Sequence, residues 1–183
     1  MRIILASGSP RRQALLKKLG YKFDVICPAV KENTTKKLPH KIVQELALKK
    51  AFSVAVLYPD ALIIGGDTLV YCKGKILGKP KNVQEALKLL KIENNSWQAV
   101  YSGIALICKN KNKIFSGYDK TMCKARNLDL KTLKYLATKN LDKAGAYAMQ
   151  DSDDRFIERI KGSYDNVVGF PTELFKEMIK EFL

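Results

Sequence analysis

Residues 2–20, RIILASGSPRRQALLKKLG, constrain the fold more than any other stretch of this chain. Arg2 to Ala6 reads as a short buried strand and Ser7-Gly8-Ser9 as a turn. Pro10 then suits the first position of a helix with Ser9 as its N-cap. Leu15, Leu16 and Leu19 give that helix an apolar side, and Gly20 ends it. A strand that turns at once into a helix is the opening of an alternating layout, and the rest of the chain continues it. Strands are expected at Phe23–Cys27, Ala61–Ile64, Val100–Cys108, Ile114–Cys123 and Phe156–Ile160. Helices are expected over Pro39–Leu57, from Asn82 to Lys91 with Glu85 completing a capping box, from the Asp129 cap to Ala137, and from Pro171 onward. Leu69 to Leu77 reads as a hairpin turning at Lys73-Gly74. The fold class is therefore α/β, a mixed sheet flanked by helices. The hairpin strands in the middle of an otherwise alternating layout suggest two lobes within one domain.

Bulk properties exclude several classes. No apolar run approaches the roughly 20 residues that span a membrane. The opening MRIILASGSPRR is too short in apolar residues for a signal peptide. A soluble, cytoplasmic protein without a membrane partner is expected. Cys27, Cys72, Cys108 and Cys123 form no CxxC pair, so neither a zinc knuckle nor a redox motif is written here. The net charge of +15 could serve nucleic acid, an anionic membrane or a phosphorylated ligand. It comes from 27 Lys against 6 Arg. These lysines are scattered through TTKKLPHK, CKGKILGKPK and CKNKNK with no basic arm or aromatic RNP-like strand. No dedicated nucleic-acid binding is expected.

The candidate chemistry begins in the same opening stretch. The first N–H groups of a helix and its dipole favour an anion. Arg11 and Arg12 oppose that dipole, so they are either solvated surface charges or the two sides of a phosphate site. Lys50 falls within the apolar stripe of Val43, Leu46, Ala47, Val54 and Leu57, where it either snorkels to water or meets an anion. Asp67 follows an apolar strand and two glycines, at the strand end where α/β folds collect ligands. It could bind a divalent metal, accept a proton, or close an Asx-turn. Lys79, before Pro80, is either a second phosphate ligand or an ordinary loop lysine. His40 is the only histidine and sits beside Pro39 at a helix start, where it is expected to be exposed, so a Ser-His-Asp or Cys-His hydrolase is not expected. Metal-assisted chemistry at phosphorus fits the remaining carboxylates, lysines and arginines better.

In this order, LASGSPRR, GGDTLV, ILGKPK, LDKAGAY and IKGSYDNVVGFP resemble the Maf family of nucleoside triphosphate pyrophosphatases over nearly the whole chain. The resemblance implies one domain over 1–183, with two lobes around a deep cleft, similar to inosine triphosphate pyrophosphatases of the Maf/Ham1-like fold. It implies hydrolysis of a nucleoside triphosphate between its α and β phosphates, a divalent cation (Mg²⁺ or Mn²⁺) and a homodimer. Carried over position by position, Ser7, Arg11, Arg12, Lys50 and Lys79 would grip the triphosphate. Asp67 would be the catalytic carboxylate, as proton acceptor or metal ligand, with Glu32 assisting at the metal. Arg11, Thr68 and Gln150 would contribute to substrate choice. DKAGAYAMQ resembles the branch that cleaves dTTP and UTP more than the branch that prefers N7-methylated GTP. The chain departs from the family pattern at Gly66, where alanine is usual, and over Asn94–Gln98, where SGxTH is common. It departs again at Asp151 and Asp153, which replace glycines after Gln150, with Arg155 following. These departures leave a modified purine nucleotide open as the substrate. A non-enzymatic binding protein acting on cell division is the remaining alternative.

Overall fold

A computed structural model describes residues 1–149 and 155–182. The chain forms β1 (Ile3–Ala6), α1 (Pro10–Lys18), β2 (Asp24–Val25), α2 (Pro39–Ala55), β3 (Leu62–Cys72), β4 (Lys75–Leu77), α3 (Val83–Glu93), β5 (Trp97–Cys108), β6 (Lys113–Ala125), α4 (Leu130–Ala137), β7 (Ile157–Lys161), α5 (Tyr164–Val168) and α6 (Thr172–Ile179). A 3₁₀ turn covers Ala144–Ala146. The strands hydrogen-bond in the order β2-β1-β3-β5-β6-β7, with β4 paired to β3. The class is the expected mixed α/β sheet with flanking helices. Two compact units divide the chain: residues 1–68, 102–119 and 169–183 form the first, and residues 69–101 and 120–168 the second.

In the first unit, β1 lies between β2 and β3 and runs parallel to both, with Ile3–Ala6 opposite Leu62–Gly65. The β1–α1–β2 and β2–α2–β3 crossovers travel in opposite directions along the sheet. Right-handed crossovers then put α1 on one face and α2 on the other. The carboxyl end of β1, opposite Gly65 in the middle of β3, is the switch point where such sheets bind ligands. α2 lies almost on the sheet backbone. A Cβ on Gly65 would stand 2.3 Å from the Ala47 carbonyl, and one on Gly103 would stand 2.3 Å from that of Val43. Only glycine permits that approach. Ala47, Ala51, Val54, Ile63, Ala105 and Ile107 pack into the resulting core.

β3 corrects the sequence reading. Gly65-Gly66 was expected to end a strand at Ile64, and the strand instead continues to Cys72. Gly65 is there for helix packing rather than for turning, and Gly66 makes room for the Arg12 side chain, whose Nε would lie 3.1 Å from a Cβ there. β2 is also shorter than expected at two residues, and α5 had no counterpart in the sequence reading. His40 is half-buried rather than exposed, its ring 5.0 Å from that of Tyr118.

The second unit is antiparallel. β3 and β4 pair across Val70–Leu77, with Lys73 and Gly74 at φ 48° and 78° as a two-residue hairpin turn requires. The α3 N-terminus is closed by Asn82, whose Oδ1 accepts the Glu85 N–H at 2.9 Å. Asp129 Oδ1 accepts the Thr132 N–H at 2.7 Å at the start of α4. Val70, Leu90, Val100, Leu133, Tyr147 and Phe156 are core residues of this unit. Among the described residues, no helix is long and apolar enough to cross a membrane.

Candidate functional site

Strand alternation sorts the residues in the middle of β3 onto two faces. Gly65 and Asp67 face α2, and Gly66 and Thr68 face Arg12 of α1. Both helices therefore deliver a cation to the same short run of strand.

Arg12 stands in the first turn of α1, where Ser9 is the N-cap residue but its hydroxyl makes no capping bond. The Arg12 guanidinium is held from three directions. Its Nε donates to the Gly169 carbonyl at 2.8 Å, Nη1 to Ser7 Oγ at 3.2 Å, and Nη2 to Thr68 Oγ1 at 3.0 Å. Ser7 Oγ also accepts the Ser9 N–H at 3.3 Å, so one hydroxyl fixes both the turn and the arginine. Thr68 Oγ1 in turn lies 2.9 Å from Ser102 Oγ of β5, which is fully buried. Gly169 holds φ +117°, and a Cβ there would lie 3.4 Å from Thr68 Oγ1. This carbonyl is aimed by a backbone that glycine alone adopts easily. Three of the five guanidinium N–H groups are thus pinned, and two lie outside these bonds. Burial lowers the Arg12 pKa, Asp67 opposes that, and Arg11 beside it lowers it further. An arginine stays protonated regardless.

Lys50 of α2 is buried, as its place on the apolar stripe foretold. Its Nζ donates to Asp67 Oδ1 at 2.7 Å and also lies 2.7 Å from Glu32 Oε1. The Lys50 and Asp67 side chains are only 10% and 11% exposed, whereas Glu32 is 55% exposed. Glu32 sits on a loop tied to α2 by two further bonds. Lys49 Nζ donates to the Asn33 carbonyl at 2.6 Å, and Thr34 Oγ1 donates to Glu45 Oε2 at 2.9 Å. Burial holds the Asp67 carboxyl above the usual carboxylate range. The charge and hydrogen bond of Lys50, then the charge of Arg12, pull it back, and Glu32 pushes it up. The result is a more basic carboxylate than an exposed aspartate, suited to accepting a proton.

Asp67 and Glu32 share one ammonium and offer hard oxygen donors. Among the described residues no group of three or more His, Cys, Asp or Glu gathers to hold a metal. Two carboxylates fit Mg²⁺ or Mn²⁺ where a substrate's phosphate oxygens and water complete the coordination.

The structure thus brings together Ser7, Arg12, Glu32, Lys50, Asp67 and Thr68 in the first unit. Arg11 is half-buried next to Arg12. Lys79 is an exposed residue of the second unit, in the loop between β4 and α3. Gln150 lies outside the described residues. Ser102 and Gly169 were not singled out in the sequence. Ser102 gives only the signal of a small residue in an apolar strand, and Gly169 lies within IKGSYDNVVGFP as a glycine before Phe170-Pro171.

Residues 2–182 match the family model described as Maf-like protein. A relative from Elusimicrobium minutum, named dTTP/UTP pyrophosphatase, is 57% identical over 182 residues, covering 100% of this chain and 99% of its own. One of the same name from Thermosipho melanesiensis is 42% identical over 173 residues, covering 93% and 92%. Among solved structures, the Ham1 protein of Staphylococcus aureus aligns over 100% of both chains with a TM-score of 0.56 and 14% identity, a likeness of fold.

Proposed function

The chain belongs to the Maf-like protein family, and from that premise we propose that it hydrolyses dTTP and UTP to the monophosphate and pyrophosphate. One observation carries the reading at the level of residues. A buried lysine joins two carboxylates at 2.7 Å, beside an arginine pinned through three of its N–H groups. Such a set can neutralise a polyanion on one side and take a proton on the other.

Arg12 meets phosphate oxygens with a guanidinium already oriented, so little rotamer entropy is lost on binding. Ser7 and Arg11 lie beside it in the turn and the first turn of α1, at the end where a helix favours anions. Lys50 neutralises negative charge on the α2 side and keeps Asp67 ionised. Asp67 accepts a proton from the attacking water as the anhydride bond between the α and β phosphates breaks, and pyrophosphate leaves with that bond's electron pair. Asp67 and Glu32 would also hold the divalent cation, Mg²⁺ or Mn²⁺. When bound, the metal supplies charge neutralisation on the phosphate oxygens and orients them. Thr68 positions Arg12, and with Arg11, Lys79 and Gln150 it belongs to the same substrate-binding assignment. The reading includes a cytoplasmic homodimer, which light scattering on the purified protein would test.

The experiment is a panel of common, methylated and oxidised nucleoside triphosphates, assayed for pyrophosphate with Mg²⁺ and with Mn²⁺. The expected result is preference for dTTP and UTP and loss of about 10²–10⁴ in turnover for Asp67→Asn with an unchanged circular dichroism spectrum. Undiminished turnover by that variant would remove Asp67 from its role. Preference for a methylated purine would overturn the substrate assignment.

A further inference from the structure

Outside the site already described, the sheet of the second unit carries an unusual outer face. In β6, Thr121, Cys123 and Ala125 are fully buried, with Cys123 and Ala125 in the hydrophobic core. Alternation therefore turns Lys120, Met122 and Lys124 outward. β7 pairs Lys161 with Met122 and Arg159 with Lys124, which places both cations on that same face. β5 adds two aromatic rings. Lys161 Nζ lies 5.0 Å from the centroid of Trp97, and Lys120 Nζ 5.8 Å from that of Tyr101. Trp97 is 38% exposed despite its size. Lys124 Nζ is steadied by Asn95, donating to its backbone oxygen at 2.7 Å and to its Oδ1 at 3.0 Å. Glu158 is an acidic neighbour, at 3.6 Å from Arg159 Nε, and both side chains are open to water. These cations are far apart in sequence, so they read as scattered lysines until the sheet assembles them.

Four cations interleaved with two aromatic rings repel a second copy of the same face. Three strands spaced by about 4.8 Å spread the charges over roughly 10 Å, wider than a single phosphate. An extended polyanion with stackable groups matches this pattern of charge and aromatic surface. We propose that this face of β5, β6 and β7 binds single-stranded nucleic acid, its phosphates along Lys120, Lys124, Arg159 and Lys161 and its bases stacked on Trp97 and Tyr101. This inference stands independently of the pyrophosphatase reading.

The test uses the full chain and a short fluorescein-labelled oligothymidylate with no terminal phosphate, followed by fluorescence anisotropy over a salt series. With four phosphate contacts, log K should fall against log salt with a slope of about −2.8, using about 0.7 per contact for single strands. Binding should quench Trp97, the single tryptophan of the chain. Lys124→Glu with Arg159→Glu should weaken binding at least about tenfold and roughly halve the slope. Trp97→Ala should weaken it by about fivefold to a hundredfold and leave the slope unchanged. Both variants should keep the circular dichroism spectrum and the nucleotide turnover of the parent, and excess dTTP should not displace the oligonucleotide. Each of four results would overturn the proposal: no binding at low salt, equal affinity in the double variant, equal or tighter binding of a duplex, or displacement by dTTP. Binding of the parent to phosphatidylserine vesicles but not to the oligonucleotide would assign the face to a membrane instead and would also refute it.

Discussion

Replacing Lys50 by methionine keeps the aliphatic stem and removes the charge. In the folded protein this leaves the Asp67 carboxylate, 11% exposed, without its 2.7 Å partner. Breaking a buried pair from one side costs about 3–5 kcal/mol. The low end applies, because about a tenth of each side chain still reaches water. The second pair, to the half-exposed Glu32, adds at most about 1 kcal/mol. We therefore expect Lys50→Met to lose about 3 kcal/mol at neutral pH. With a urea slope of about 2 kcal/mol/M, the midpoint falls by about 1.5 M. Far-UV circular dichroism during urea titration measures it. The pH dependence has a definite sign. Burial raises the folded-state pKa of Asp67, so the folded protein takes up this proton more readily than the unfolded chain. The stability linked to it is present at low pH and lost as pH rises through the folded value. Removing Lys50 takes away the strongest opposing influence and raises that value further. The gap between parent and variant should therefore be widest at neutral pH and close on acidification. A variant within 0.5 kcal/mol of the parent, with no pH dependence, would mean that Lys50 does not hold a buried carboxylate (about the scatter of neutral surface changes).

Three other outcomes are expected. Ser102→Ala removes the hydroxyl that lies 2.9 Å from Thr68 Oγ1. Loss of one such bond, about 1 kcal/mol, should lower kcat/KM for dTTP about fivefold, mainly through KM, with recovery in Ser102→Thr. Gly103→Ala forces a methyl to 2.3 Å from the Val43 carbonyl, so it should unfold at a urea midpoint lower by at least about 1 M. Cys27 is the exposed thiol, while burial pushes Cys123 up to about 12. The native protein should therefore react first with one equivalent of a thiol reagent. Cys27 Sγ lies 2.9 Å from where a Gly8 Cβ would stand, in the turn next to Ser7. Its modification should weaken dTTP binding, and dTTP should slow the reaction.

Much of this was legible because its determinants are local. Pro10 after SGS marks α1, Lys73-Gly74 marks the hairpin, and Asn82 and Asp129 cap their helices as their positions foretold. Lys50 stood out because a charge on an apolar stripe needs a partner, and the structure supplies Asp67. The misreadings share one cause: partners distant in sequence. Gly65 looks like a turn until Ala47 is brought over it. Ser102 and Gly169 gain their roles only where the fold carries them to Thr68 and Arg12, 34 and 157 residues away. Lys124 and Arg159 become one surface only through the β6–β7 register.

The most direct test of the site is ³¹P NMR of dTTP incubated with the parent protein and with Asp67→Asn in the presence of Mg²⁺. The account predicts dTMP and pyrophosphate in equal amounts from the parent, and the same products about 10²–10⁴ more slowly from the variant. Release of orthophosphate and dTDP, or the same products at the same rate from both proteins, would contradict it.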